Sequence, residues 1–144
     1  MSKDIMLFHY DYEEDILFFY SKEKHKYEVS DFIAKSVAID LNENKFPIGV
    51  EILDASKLFN TKKHFLKNIE NGEIAININE DKIELGISLI IPIHQKTTSI
   101  PVNVVGDNKS HIPSIQAEVS VVTWYYNNFI TVLNIFQSIF SMNL

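Results

Sequence analysis

The spacing of apolar residues changes period twice along this chain. Over residues 4–53, apolar runs of about four to eight residues alternate with charged turns, the pattern of short strands joined by tight connections. Runs at 4–10 and 16–20 flank the acidic turn Asp11-Tyr12-Glu13-Glu14-Asp15, and Lys22-Glu23-Lys24-His25-Lys26 is a second turn. Runs at 36–41 and 47–53 flank a third, Asn42-Glu43-Asn44-Lys45. This spacing predicts an antiparallel meander. The period then becomes helical: Asp54 offers an N-cap, Ala55, Leu58, Phe59, Lys62, Phe65, Leu66 and Ile69 follow at helical spacing, and Gly72 offers a stop. Thr61 could restart the helix after Asn60, so one amphipathic helix or two short ones fit. From Ile74 the period is two. Ile74, Ile76 and Ile78, then Ile83, Leu85, Ile87, Leu89 and Ile91, mark one buried sheet face, and 98–105 and 114–122 add two strands. The central helix is the expected cover for that face.

After Glu118 no charged side chain occurs, and residues 124–144 are dominated by aromatic and aliphatic side chains. Asn127, Thr131, Asn134, Ser138 and Ser141 recur every three or four positions, which predicts a helix with one narrow polar stripe. Leu133, Ile135, Phe136, Ile139 and Phe140 form its apolar side and the expected interaction tail, so self-association or a protein partner is expected. A membrane anchor is the alternative reading, although a span of about 20 mostly apolar residues would be interrupted here by amides and hydroxyls. The fold class read from these patterns is α+β: β-rich antiparallel meander sheets with a central amphipathic helix and a C-terminal apolar helix.

Charge and composition narrow the function. The 13 cations are all lysine against 19 acids, a net charge of -6, so nucleic acid is not an expected partner. Arg, the bidentate reader of phosphates and base edges, is missing altogether. With no Cys, thiolate metal sites and thiol nucleophiles are excluded. Four glycines leave little for a phosphate-cradling loop. The N-terminus reaches acids and His9 before any long apolar run, which predicts a cytoplasmic protein without a leader.

Two stretches are more specific. Residues 10–19, Tyr-Asp-Tyr-Glu-Glu-Asp-Ile-Leu-Phe-Phe, look like the pattern Y-D-x-E-x-D-[AV]-L-Y-[IV]. Residues 48–56, Ile-Gly-Val-Glu-Ile-Leu-Asp-Ala-Ser, look like V-G-I-E-I-L-D-A-S. Over about residues 4–60 the chain resembles DUF2283, a small prokaryotic domain of unknown function. Two departures are Phe18-Phe19 at the end of the first motif and Asn44-Lys45-Phe46-Pro47 in place of a glycine-containing turn. The resemblance implies a compact β-meander closed by a helix, with no catalytic residues to carry over. Members beside toxin genes imply an antitoxin-like role. Its signature residues here are Tyr10, Asp11, Glu13, Asp15, Gly49, Glu51, Asp54 and Ser56. Three parts follow: 1–60 as the family-like meander, 61–122 as the helix end plus strands packed on it, and 123–144 as the apolar helix.

The carboxylates of the acidic turn are the first candidates for chemistry, since hard cations want several converging oxygens. Their bland role is turn formation. Glu51 alternates with Val50 and Ile52, so it faces away from the core or, if buried, needs a cationic partner or has its pKa raised. The five histidines show no metal-ligand spacing, and no serine sits in a nucleophile elbow. Lys57, Lys62, Lys63, His64 and Lys67 form the one basic patch. The expectation is a non-enzymatic binding or oligomerising module without catalytic residues, metal or cofactor. Its rivals are a small enzyme or metal-binding protein using the acidic turn and Glu51, and a membrane-tethered domain.

Overall fold

Period-two alternation builds almost everything in the computed structural model, which describes residues 4–23 and 26–123. Among the described residues nine strands form one sheet: β1 (Asp4–Asp11), β2 (Ile16–Ser21), β3 (Tyr27–Ala34), β4 (Val37–Asn42), β5 (Pro47–Ile52), β6 (Asn71–Ile78), β7 (Lys82–Ile93), β8 (Lys96–Asp107) and β9 (Ile115–Val122). Their spatial order is β3-β4-β5-β2-β1-β9-β6-β7-β8. All neighbours are antiparallel except β1 and β9, which run parallel, Leu7 opposite Val122.

The sheet curls until its two edge strands meet without forming a ladder. At Gly106 of β8, a Cβ would overlap the Ile33 carbonyl of β3, so only glycine permits that approach. The Ser110 hydroxyl donates to Asp31 at 2.6 Å across the same seam. The enclosed face carries the core: Leu17, Phe19, Ile39, Val50 and Ile52 from one half, and Ile74, Ile83, Leu85, Ile87, Leu89 and Ile91 from the other. Burying each such side chain favours folding by about 1.5–3 kcal/mol before ordering costs.

The α+β class with a central amphipathic helix is overturned by this architecture. In place of that helix are two single turns, α1 (Ala55–Leu58) and α2 (Lys63–Leu66). Asn60 takes a left-handed φ of 49°, a conformation short amides tolerate, and Lys62 is extended, so the helical path is broken between them. Asp54 also has a left-handed φ, 50°, and its side chain caps nothing. Gly72 is a β6 residue rather than a helix stop. Ala55, Phe59, Leu66 and Ile69 still reach the core, closing one end of the curled sheet. The face expected to lie under a helix is therefore covered by the opposite wall of the same sheet. The C-terminal helix expected over 124–144, with Leu133, Ile135, Phe136, Ile139 and Phe140, lies outside the described residues. Among the described residues no helix is long and apolar enough to cross a membrane.

Candidate functional site

Two of the signature stretches meet at one end of β1 and β2. The turn between these strands places Asp15 in a left-handed conformation, φ 55°, and turns its side chain inward until only 8% is exposed. Three donors converge on that carboxylate. Tyr10 Oη donates to Oδ1 at 2.7 Å, Ser56 Oγ to Oδ2 at 2.6 Å, and the Ser56 amide to Oδ1 at 3.1 Å. The Ala55 amide donates to the Asp15 carbonyl at 3.0 Å. Burial alone would raise the Asp15 pKa, but these hydrogen bonds and the Lys63 charge hold it below the ordinary carboxylate value. Tyr10 is shifted the opposite way, well above an ordinary phenol, by burial and then by its bond to Asp15 and the negative charge there. The arrangement is a clasp joining the acidic turn to α1. With its acceptor positions filled from within, Asp15 is poorly disposed to act as a base or to hold a cation.

A second group lies on the outer face of β3, β4 and β5. Ser30 Oγ donates to Asp40 Oδ1 at 2.5 Å and lies 3.3 Å from Glu51 Oε2, while Tyr27 Oη lies 3.0 Å from the same hydroxyl. A hydrogen bond to Asp40, then burial, then the Asp40 charge push the Glu51 pKa up to about 7, and the bond from Ser30 opposes them. Gly49 makes room for this pair: a Cβ there would meet the Phe19 carbonyl at 2.8 Å and Asp40 Oδ2 at 3.1 Å. Exposed Phe32 and Tyr20 border the pair on that face, where His9 stacks on Phe18 with centroids 6.3 Å apart.

The remaining predicted positions are distributed along the edges of these two groups. Asp11 Oδ1 accepts the Glu14 amide at 3.0 Å, closing the turn, and Glu13 and Glu14 are exposed. Asp54 is exposed and contributes its carbonyl to the Lys57 and Leu58 amides. Glu51 bonds with β3 and β4, not with the acidic turn. In the basic patch, Lys63 and Lys67 both place their ammonium 4.7 Å from the Tyr12 ring centroid, and His64 packs on Phe65. Among the described residues no three His, Asp or Glu side chains are grouped to hold a metal. Sequence reasoning missed Ser30 and Asp40 as partners of Glu51. The signal was the inward alternation of Val37, Ile39 and Leu41, which turns Asp40 outward as Val50 and Ile52 turn Glu51.

Comparison with known proteins fits the first half of this sheet. Residues 7–56 match a family described as a protein of unknown function, DUF2283. A Methanosarcina mazei protein named "Putative hypoxanthine phosphoribosyltransferase" is 32% identical over 104 residues, 72% of this chain and 83% of that protein. An uncharacterized protein of Methanocaldococcus jannaschii is 44% identical over 64 residues, 42% of this chain and 51% of that protein. No solved structure matches. The matched span contains Tyr10 and Asp15 of the clasp, the Ser56 that closes it and the Asp40–Glu51 pair, so residues 7–56 of this chain belong to the DUF2283 family.

Proposed function

We propose that this protein is a non-enzymatic binding or oligomerising module, and that the outer face of the neighbouring strands β3, β4, β5 and β2 is its contact surface. The observation that supports this most directly is the use made of the signature side chains. Tyr10, Asp15 and Ser56 are consumed in holding a turn to a helix, and the face beside them exposes aromatic rings: Phe32 is 56% exposed and Tyr27 is 58% exposed. Exposed aromatic side chains around a few polar groups are characteristic of protein contact surfaces. The reading is compatible with an antitoxin-like partner protein.

The name of the Methanosarcina relative points to phosphoribosyl transfer. Phosphate cradles draw on glycine-rich turns at helix N-termini. Here all four glycines lie inside strands and none has a positive φ, so the chain lends that reading no support. The test is sedimentation velocity of the full chain beside the double variant Phe32→Ser, Tyr20→Ser. Association should weaken at least tenfold while the melting temperature holds. Association unchanged by both substitutions, together with saturable Mg²⁺ binding lost in Glu51→Gln, would replace the module with a metal-dependent site.

A further inference from the structure

The interior of the curled sheet is filled unevenly, and β9 records the gradient. Its inward residues run from Val121, 0% exposed beside the helical end, through Val119 and Ala117 to Ile115, all only half-buried. Met6, on the neighbouring β1, is half-buried as well. The two ends of the curl differ in what covers them. At one end the segment 55–69 is drawn over the opening, with Ala55, Phe59, Leu66 and Ile69 in the core and the Phe65 ring 5.8 Å from His94. At the other end, Ile112 is tucked in by Asn108, whose amide bonds the Ile112 amide and carbonyl at 2.9 Å each, but the stretch beside Phe46 and Pro47 is left open. Behind it lies a cavity of about 270 Å³ walled by Met6, Val50, Leu85, Ala117 and Val119, with Phe46 at its mouth, 49% exposed.

We infer that this cavity is a binding site for a short aliphatic chain, the hydrocarbon end of a small amphiphile whose polar end remains at the mouth. The walls are almost wholly aliphatic and offer water no set of hydrogen-bonding partners, which makes an apolar guest the favoured occupant. Methionine and an exposed aromatic at the entrance can adjust to a guest at little cost. The mouth of a closed or nearly closed β-barrel is a recurrent place for such a ligand. The inference is independent of the outer face proposed above as a contact surface.

The experiment uses the full-length chain and 1-octanol as the probe, followed by calorimetry and by thermal shift. One saturable site and a rise in melting temperature are expected. Ala117→Phe fills the cavity and should weaken octanol binding at least tenfold, and Ala117→Val should weaken it about threefold, so one folded variant suffices. Ala75→Leu, on the outer face of the adjoining strand, should leave binding unchanged. Absence of saturable binding up to the solubility of octanol would overturn the inference, as would binding by both Ala117 variants as tight as the parent's. A concentration-dependent dimer that excludes octanol would also overturn it, showing the mouth covered by a second copy.

Discussion

The two halves of the sheet are stabilised by different means. In β6–β9 the strands reach 12 residues, and alternation is regular, with isoleucine, leucine and valine inside and Glu73, Asn77, Glu84 or Gln116 outside. In β1–β5 the strands are six to eight residues long, β3 and β4 pair through register shifts, and side-chain hydrogen bonds set the turns and pin neighbouring strands. The regular half has polar bridges too, Lys82 to Asp107 and Ser88 to Ser99 across β7 and β8, but they lie at the exposed surface beside long apolar alternation. The short strands interrupted by charge rely instead on part-buried polar pairs to define register.

Removing apolar volume from the regular half should give the largest effect. Ile87→Ala, at a side chain only 2% exposed, should cost about 3–4 kcal/mol by denaturant titration. In the other half, Asp15→Ala leaves the Tyr10 hydroxyl and the Ser56 donors without their acceptor, so a loss of about 2–3 kcal/mol is expected. Ser56→Ala should lose about 1 kcal/mol. A loss from Asp15→Ala no larger than that from Ser56→Ala would show that the clasp does not hold the turn.

The two carboxylates should also separate by pH. Asp15 is depressed, so its contribution is complete above the ordinary value of 3.8 and disappears only as pH falls through the lower folded value. Glu51 is raised: between 4.5 and about 7 the folded chain keeps a proton that the unfolded chain releases, and stability declines as pH rises through that window. Glu51→Gln should flatten the decline and be the more stable form at pH 8 by about 1 kcal/mol, after allowance for solvent screening. An unchanged slope in urea unfolding across pH 5 to 8 would remove Glu51 from this role. The smallest effect is expected on the outer face of the regular half, where Asn77→Thr should stay within about 0.5 kcal/mol of the parent.

Legibility in sequence follows the same division. The isoleucines at 74, 76, 78, 83, 87 and 91, with Leu85 and Leu89 continuing the pattern, alternate with mostly polar or small residues and identify β6 and β7 directly. β3 is hidden because Glu28, Ser30 and Asp31 break its apolar run at an edge position, where both faces near water tolerate polarity. The stretch after Asp54 reads as a helix since Ala55, Phe59, Leu66 and Ile69 are correctly spaced. Burial asks only that these residues reach the core, and two turns separated by Asn60 achieve that. At the clasp, Tyr10, Asp15 and Ser56 stand out as motif residues, but their convergence depends on a fold that joins positions 41 apart in sequence.

The parallel pairing of β1 with β9 has a consequence for the order in which the protein is made. β1 is synthesised first, but its second neighbour is completed only when residue 122 has been added. The hairpin of β1 and β2 can form early from local contacts, while the outer side of β1 stays an unsatisfied edge through the synthesis of more than a hundred residues. Closure of the curl is thus a late, long-range step. The nascent chain carries an open strand edge through most of its elongation, the interval in which it is most exposed to pairing with another chain.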